Sequence, residues 1–129
     1  MTRDRVASAV ALLVGLFLFA LGVWALVGPE SFFRNLALFE PYNRHLFHDV
    51  GAFQMGLGAT LLFALLWSDS LLVALSGIGV ACVAHAYSHW IDRNLGGKKS
   101  DPYLLSLLAV VVVVAALLRY RTKGANRAS

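Results

Sequence analysis

The chain has 129 residues, of which 59% are hydrophobic and only 14% are charged, whereas a soluble domain usually carries about 25% charged residues. Together with a mean hydropathy of +0.71, this excludes an ordinary soluble domain and indicates an integral membrane protein. The net charge of +4 does not indicate nucleic-acid binding, because the basic residues lie at the ends of apolar runs and in the tail. The single cysteine, Cys82, excludes an internal disulfide.

The first apolar run covers about 7–27 and follows the basic segment MTRDR. It is longer than the 7–15 residues of a signal-peptide core, and no clear cleavage site follows it. We therefore expect a retained transmembrane helix, ended by the breaker pair Gly28-Pro29.

The next segment, PESFFRNLALFEPY, predicts a short helix that lies in the membrane interface. Phe32, Phe33 and Leu36 fall on one helical face and Arg34 falls on the opposite face, a pattern typical of interfacial helices. Pro41 ends this segment.

Three more apolar runs follow, each of a length that suits a membrane-spanning helix. Asn43 is a good N-cap for the first of them, and Pro102 fits the first turn of the last. The predicted fold is therefore all-α, a four-transmembrane-helix bundle within a single domain, 1–129. The predicted spanning helices are 7–27, 43–67, 71–91 and 103–118, and a polar, disordered tail is predicted at 119–129.

The turn at 68–70 joins the second and third spans so closely that they are expected to pack as an antiparallel hairpin. With four spans, the chain termini lie on one side together with six of the eleven Lys and Arg residues. The positive-inside rule then favours cytoplasmic termini in a bacterial inner (plasma) membrane.

This topology places the start of the second span and the end of the third on the same membrane face. Each carries polar residues that continue a stripe of small residues at helical spacing, which typically marks a helix–helix interface in membranes. One stripe comprises His45, His48, Asp49, Ala52 and Gly56. The other comprises Gly77, Ala81, His85, Ser88, His89 and Asp92.

The two stripes predict a metal site for zinc or another divalent transition metal. His85 and His89, at i and i+4, can bind one ion from a single helix. His48 or Asp49 would complete three protein ligands and leave an open position, as in catalytic zinc sites, while Asp92 or Asp49 serves as ligand or orients a histidine. Such a site would suit metal-dependent hydrolysis of a lipid or other amphiphile, although no catalytic residue can be assigned.

Three other interpretations of the same residues stay open. Histidines on different helices, such as His48 with His85 or His89, could be the axial ligands of a haem. The His and Asp residues could form a proton or ion path. They could also be a wet interface or a structural hydrogen-bond network in a non-enzymatic accessory or scaffold protein.

The segment PYNRHLFHDVGAFQMGLGATLLFAL and the late HAYSH resemble small uncharacterised bacterial four-helix membrane proteins. Those proteins share P-Y-N-x-H, then D-V-G-A, and a late H-x-x-x-H. The resemblance implies the four-helix fold and implies no activity. The H-x-x-x-H is also similar to the zinc sites of larger, seven-helix ceramide-type hydrolases, at the level of the site only. The expected partners are membrane lipids and a second copy in a homodimer or another membrane subunit.

Overall fold

The computed structural model describes residues 2–67 and 70–127, and side chains within 4–67 and 70–122. Within these ranges all of the regular secondary structure is helical, which confirms the all-α prediction. Ser68 and Asp69 of the predicted turn and the last two residues of the predicted tail lie outside the described residues. The helices are α1 (Thr2–Val27), α2 (Pro29–Asn35), α3 (Arg44–Ala64), α4 (Leu71–Ile91) and α5 (Asp101–Arg127).

Three of these helices are long and apolar enough to cross a membrane, where the sequence predicted four. The three segments are Asp4–Val27, Leu71–Ile91 and Asp101–Thr122. α3 is not among them, because its first two turns carry Arg44, His45, His48 and Asp49 and leave a short apolar remainder. The predicted tail also differs, since α5 continues as helix to Arg127.

α1 and α3 pack along each other in antiparallel directions at close range. A Cβ atom added at Gly22 would lie 2.5 Å from the Met55 nitrogen, and one added at Gly58 would lie 2.5 Å from the Phe19 nitrogen. Real side chains never approach backbone that closely, so only glycine permits this packing, as at other close helix pairs in membranes.

α4 packs mainly on α5, and α1 joins the two helix pairs through its contact with α5. The predicted antiparallel hairpin of α3 and α4 is present, but its interface is small, since each of these helices pairs more extensively with another partner than with its sequence neighbour. Three side chains that are fully buried mark the core between the pairs, namely Leu61, Leu75 and Val112.

α2 closes one end of the bundle with its aromatic face. Phe32 and Phe33 are buried against α1 and against Phe47 of α3. The amphipathic pattern predicts these rings in the membrane interface, whereas in the structure protein side chains cover them. We call this the loop end of the bundle, which carries residues 28–43 and 92–100.

The opposite end, here called the terminal end, joins the beginning of α1 to the last turns of α5. A guanidinium nitrogen of Arg119 donates to the carboxylate of Asp4, and the Thr122 hydroxyl lies 2.9 Å from the same oxygen. The Arg119 side chain is only 12% exposed. Asp4, in the first turn of α1, also complements the dipole of that helix.

Candidate functional site

The two polar segments lie at the loop end of the bundle, as the topology argument predicted. α1 runs antiparallel to α3 and to α5, and α4 runs antiparallel to α5. The beginning of α3 and the end of α4 therefore meet at the same end. A backbone bond from the Gly97 N–H to the Leu38 carbonyl, 2.9 Å long, joins the loops beside them.

The polar residues of α3 form a local, solvent-exposed pair. Nε2 of His45 lies 3.6 Å from a carboxylate oxygen of Asp49, and the two side chains are 86% and 52% exposed. His48 is half-buried one turn below. The helix begins here because the side-chain oxygen of Asn43 accepts a hydrogen bond from the Leu46 N–H at 3.2 Å, which is the predicted N-cap.

The histidines of α4 contact each other and one aromatic side chain. The rings of His85 and His89 are 4.9 Å apart between centroids in an edge-to-face arrangement. The ring of Phe39 meets His89 edge-to-face at 5.7 Å. Asp92 is half-buried at the C-cap, where its N–H donates to the Ser88 carbonyl. Phe39 was not singled out from the sequence.

The loop after α4 packs against the segment that carries Phe39 and is hydrogen-bonded to it. The Lys98 ammonium donates to the Asn35 carbonyl at 2.7 Å, and the Lys98 N–H donates to the Asp101 carboxylate at 2.7 Å. Gly97 has φ of +74°, and a Cβ atom there would lie 2.8 Å from the Phe39 ring. In the sequence, this loop is marked only by the pair Gly96-Gly97, which does not identify Phe39 as its partner.

The five predicted metal ligands are not brought together as one site. Within the described ranges, no group of three or more His, Cys, Asp or Glu residues is placed so that it could hold a metal ion. The physical reason is the helix pairing. Gly56 and Gly77, the small residues below the two polar clusters, both face open space, with nothing within 4 Å of an added Cβ. The two stripes do not form the interface that the prediction required, and the unassembled ligand set comprises His48, Asp49, His85, His89 and Asp92.

No family model, curated protein or solved structure matches this chain.

Proposed function

We propose that this chain is a non-enzymatic accessory or scaffold protein of the bacterial inner membrane, in which the His85–His89 pair stabilises the fold. One observation carries the proposal. Each histidine cluster has local protein partners, Asp49 for His45 and Phe39 for the His85–His89 pair. A ligand set that spans α3 and α4 would require these contacts to be exchanged.

We also propose that α3 is the fourth membrane-spanning helix. Gly58 of α3 lies against Phe19 of α1, and Gly51 of α3 lies against Gly22 of α1. Phe19 and Gly22 both belong to the apolar, spanning stretch of α1. A helix fixed this closely to a spanning helix shares its depth in the membrane. The polar first turns of α3 would then lie at the membrane surface, where ionisable groups cost little.

The proposed orientation of the protein in the membrane rests on the number of basic residues at each end of the bundle. By chain position, the terminal end carries six basic residues, four of them in the last part of α5, and the loop end carries five. The count favours a cytoplasmic terminal end.

The structural role of His89 is tested by thermal unfolding of the detergent-purified protein. We expect His89→Ala to lower stability by about 1–3 kcal/mol, because it removes two edge-to-face ring contacts worth about 0.5–1.5 kcal/mol each. His45→Ala is the matched control, since that side chain is 86% exposed and its loss should stay within about 0.5 kcal/mol. Equal stability of His89→Ala and wild type would contradict the proposal.

The second candidate is the predicted metal site, and one observation favours it. The rings of His85 and His89 are adjacent, at i and i+4, so that two nitrogens could bind one zinc ion while water or another molecule supplies the other ligands. A metal-dependent hydrolase would need this site. Zinc that raises the unfolding temperature of wild type, and not of the His85→Ala/His89→Ala variant, would favour it over the structural role.

The haem alternative has a direct spectroscopic test. Axial ligation by His48 together with His85 or His89 requires ligands from two helices. It predicts a Soret band in the protein purified from membranes, and the structural role predicts none.

A further inference from the structure

A long apolar groove runs along the outside of the α4–α5 pair. Its volume is about 670 Å³, within the range of about 300–1,000 Å³ of small-molecule sites. Both helices are long and apolar enough to cross a membrane, so that the groove faces the hydrocarbon. Its walls include Leu72, Ser76, Gly79, Val113, Leu117 and Tyr120.

The shape of the groove suits a chain-like ligand. On α4 it extends from Leu72 to Tyr87, which at about 1.5 Å per residue is about 22 Å. One leaflet of a bilayer contributes about half of the 30 Å hydrocarbon thickness. The groove is therefore long enough for the whole acyl chain of one lipid. Both helices line the groove only towards the terminal end, where its α5 residues lie within 113–120.

The groove meets positive charge at the terminal end. Tyr120 lines its last part, and Arg121 follows as an exposed residue. Arg121 comes four residues after Leu117, and Lys123 comes three after Tyr120, so the helical register of α5 places both positions next to the groove-lining side. Basic residues at the end of a membrane span attract anionic head groups.

The excess of basic over acidic residues is found at this end of the molecule. By chain position, the terminal end holds six basic and two acidic residues, whereas the loop end holds five of each. A second copy in the groove, related by a two-fold axis along the membrane normal, would bring two such cationic ends side by side. Charge thus favours an anionic lipid over a second copy.

We propose that the α4–α5 groove binds one acyl chain of an anionic phospholipid, whose phosphate lies against Arg121. This inference does not depend on the role of His89. The test is native mass spectrometry of the detergent-purified chain with added phosphatidylglycerol or phosphatidylcholine of identical acyl chains. We expect about fivefold stronger retention of phosphatidylglycerol, the effect of about one basic residue near a membrane surface.

Two pairs of variants separate head group from groove. Arg121→Gln should lose the preference for phosphatidylglycerol, while Arg93→Gln at the loop end should keep it. Ser76→Phe fills the groove and should reduce retention of both lipids at least fivefold. Gly77→Phe, the adjacent exposed position that does not line the groove, should leave retention unchanged.

Val80→Trp is a second groove-filling variant, at a lipid-facing position that is exposed, in case Ser76→Phe does not fold. Equal retention of the two lipids by wild type overturns the head-group assignment. Unchanged retention in a folded groove-filling variant overturns the groove. Loss of a dimer in that variant, without loss of lipid, assigns the groove to a second copy and also overturns the proposal.

Discussion

At the residue scale, Asp4 and Arg119 join the two ends of the chain. The Arg119 side chain is 12% exposed and that of Asp4 is 35% exposed, so the pair lies between a surface ion pair, worth about 0–1 kcal/mol, and a buried pair, whose rupture costs about 3–5 kcal/mol. We expect Asp4→Asn to lower the free energy of unfolding by about 1–2 kcal/mol in a denaturant titration.

The matched control for this ion pair is Arg34→Gln. It removes the exposed contact between Arg34 and Glu30, a pair four residues apart on α2, and should change stability by less than about 0.5 kcal/mol. If both variants unfold like wild type, the contact between α1 and α5 does not hold the terminal end together.

The glycines of the α1–α3 contact make a second prediction at this scale. Gly22→Ala should destabilise the protein by about 1–3 kcal/mol, because its methyl group would lie 2.5 Å from the Met55 nitrogen, and overpacking costs about that much. Gly56→Ala on the same helix pair should be neutral or stabilising by up to about 1 kcal/mol, since its methyl group meets nothing within 4 Å. Melting curves of the two variants check this, and equal curves would contradict the packing.

At the scale of the elements, α2 is fixed to the bundle by a cluster of aromatic rings. Phe47 of α3 lies 5.9 Å from Phe32, 5.7 Å from Phe33 and 5.8 Å from Tyr42 between ring centroids. Phe47→Ala should therefore cost about 3–5 kcal/mol, the usual loss for a buried phenylalanine, and should speed proteolysis at the loop end.

Phe53→Ala is the control for that prediction. Phe53 lies on the same helix and is 76% exposed, so its removal leaves no cavity. Proteolysis of Phe47→Ala at the wild-type rate would mean that α2 is held by other contacts.

The helices themselves could be predicted from the sequence more completely than their partners. Apolar runs and the Asn43 cap predicted the positions of α1, α3 and α4, with α3 ending at Ala64 instead of 67. The pairing could not be predicted, because α3 carries small residues on more than one side. Gly51 and Gly58 pack on α1, while Gly56 faces open space. The spacing of small residues identifies possible packing faces of a helix. Which of these faces packs depends on the three-dimensional fit with the neighbouring helices.

The same limit explains the candidate site. Chain direction alone correctly predicts His45 and His48 at the same end of the bundle as His85 and His89. Their convergence depended on which helices pack together, and α3 packs chiefly on α1. The ring contact between Phe39 and His89 depends on loop contacts made by Gly97 and Lys98, which no periodic pattern encodes.

At the scale of the whole molecule, a fourth span makes a prediction about topology. If α3 crosses the membrane, Ser70 lies on the same side as Arg5, and Ser100 lies on the other side. In a Cys82→Ser background, an impermeant maleimide added to intact spheroplasts should label Ser100→Cys and should not label Arg5→Cys or Ser70→Cys. Labelling of Ser70→Cys from outside, in cells that leave Arg5→Cys unlabelled, would mean that α3 does not cross.

The central claim is that the His85–His89 pair stabilises the protein and that the loop-end histidines do not assemble an ion site. Elemental analysis tests it most directly, on wild type and on the His85→Ala/His89→Ala variant, both purified from membranes without chelators. The account predicts transition metal well below one ion per chain in both proteins. One ion per chain in wild type, lost in the variant, would contradict it.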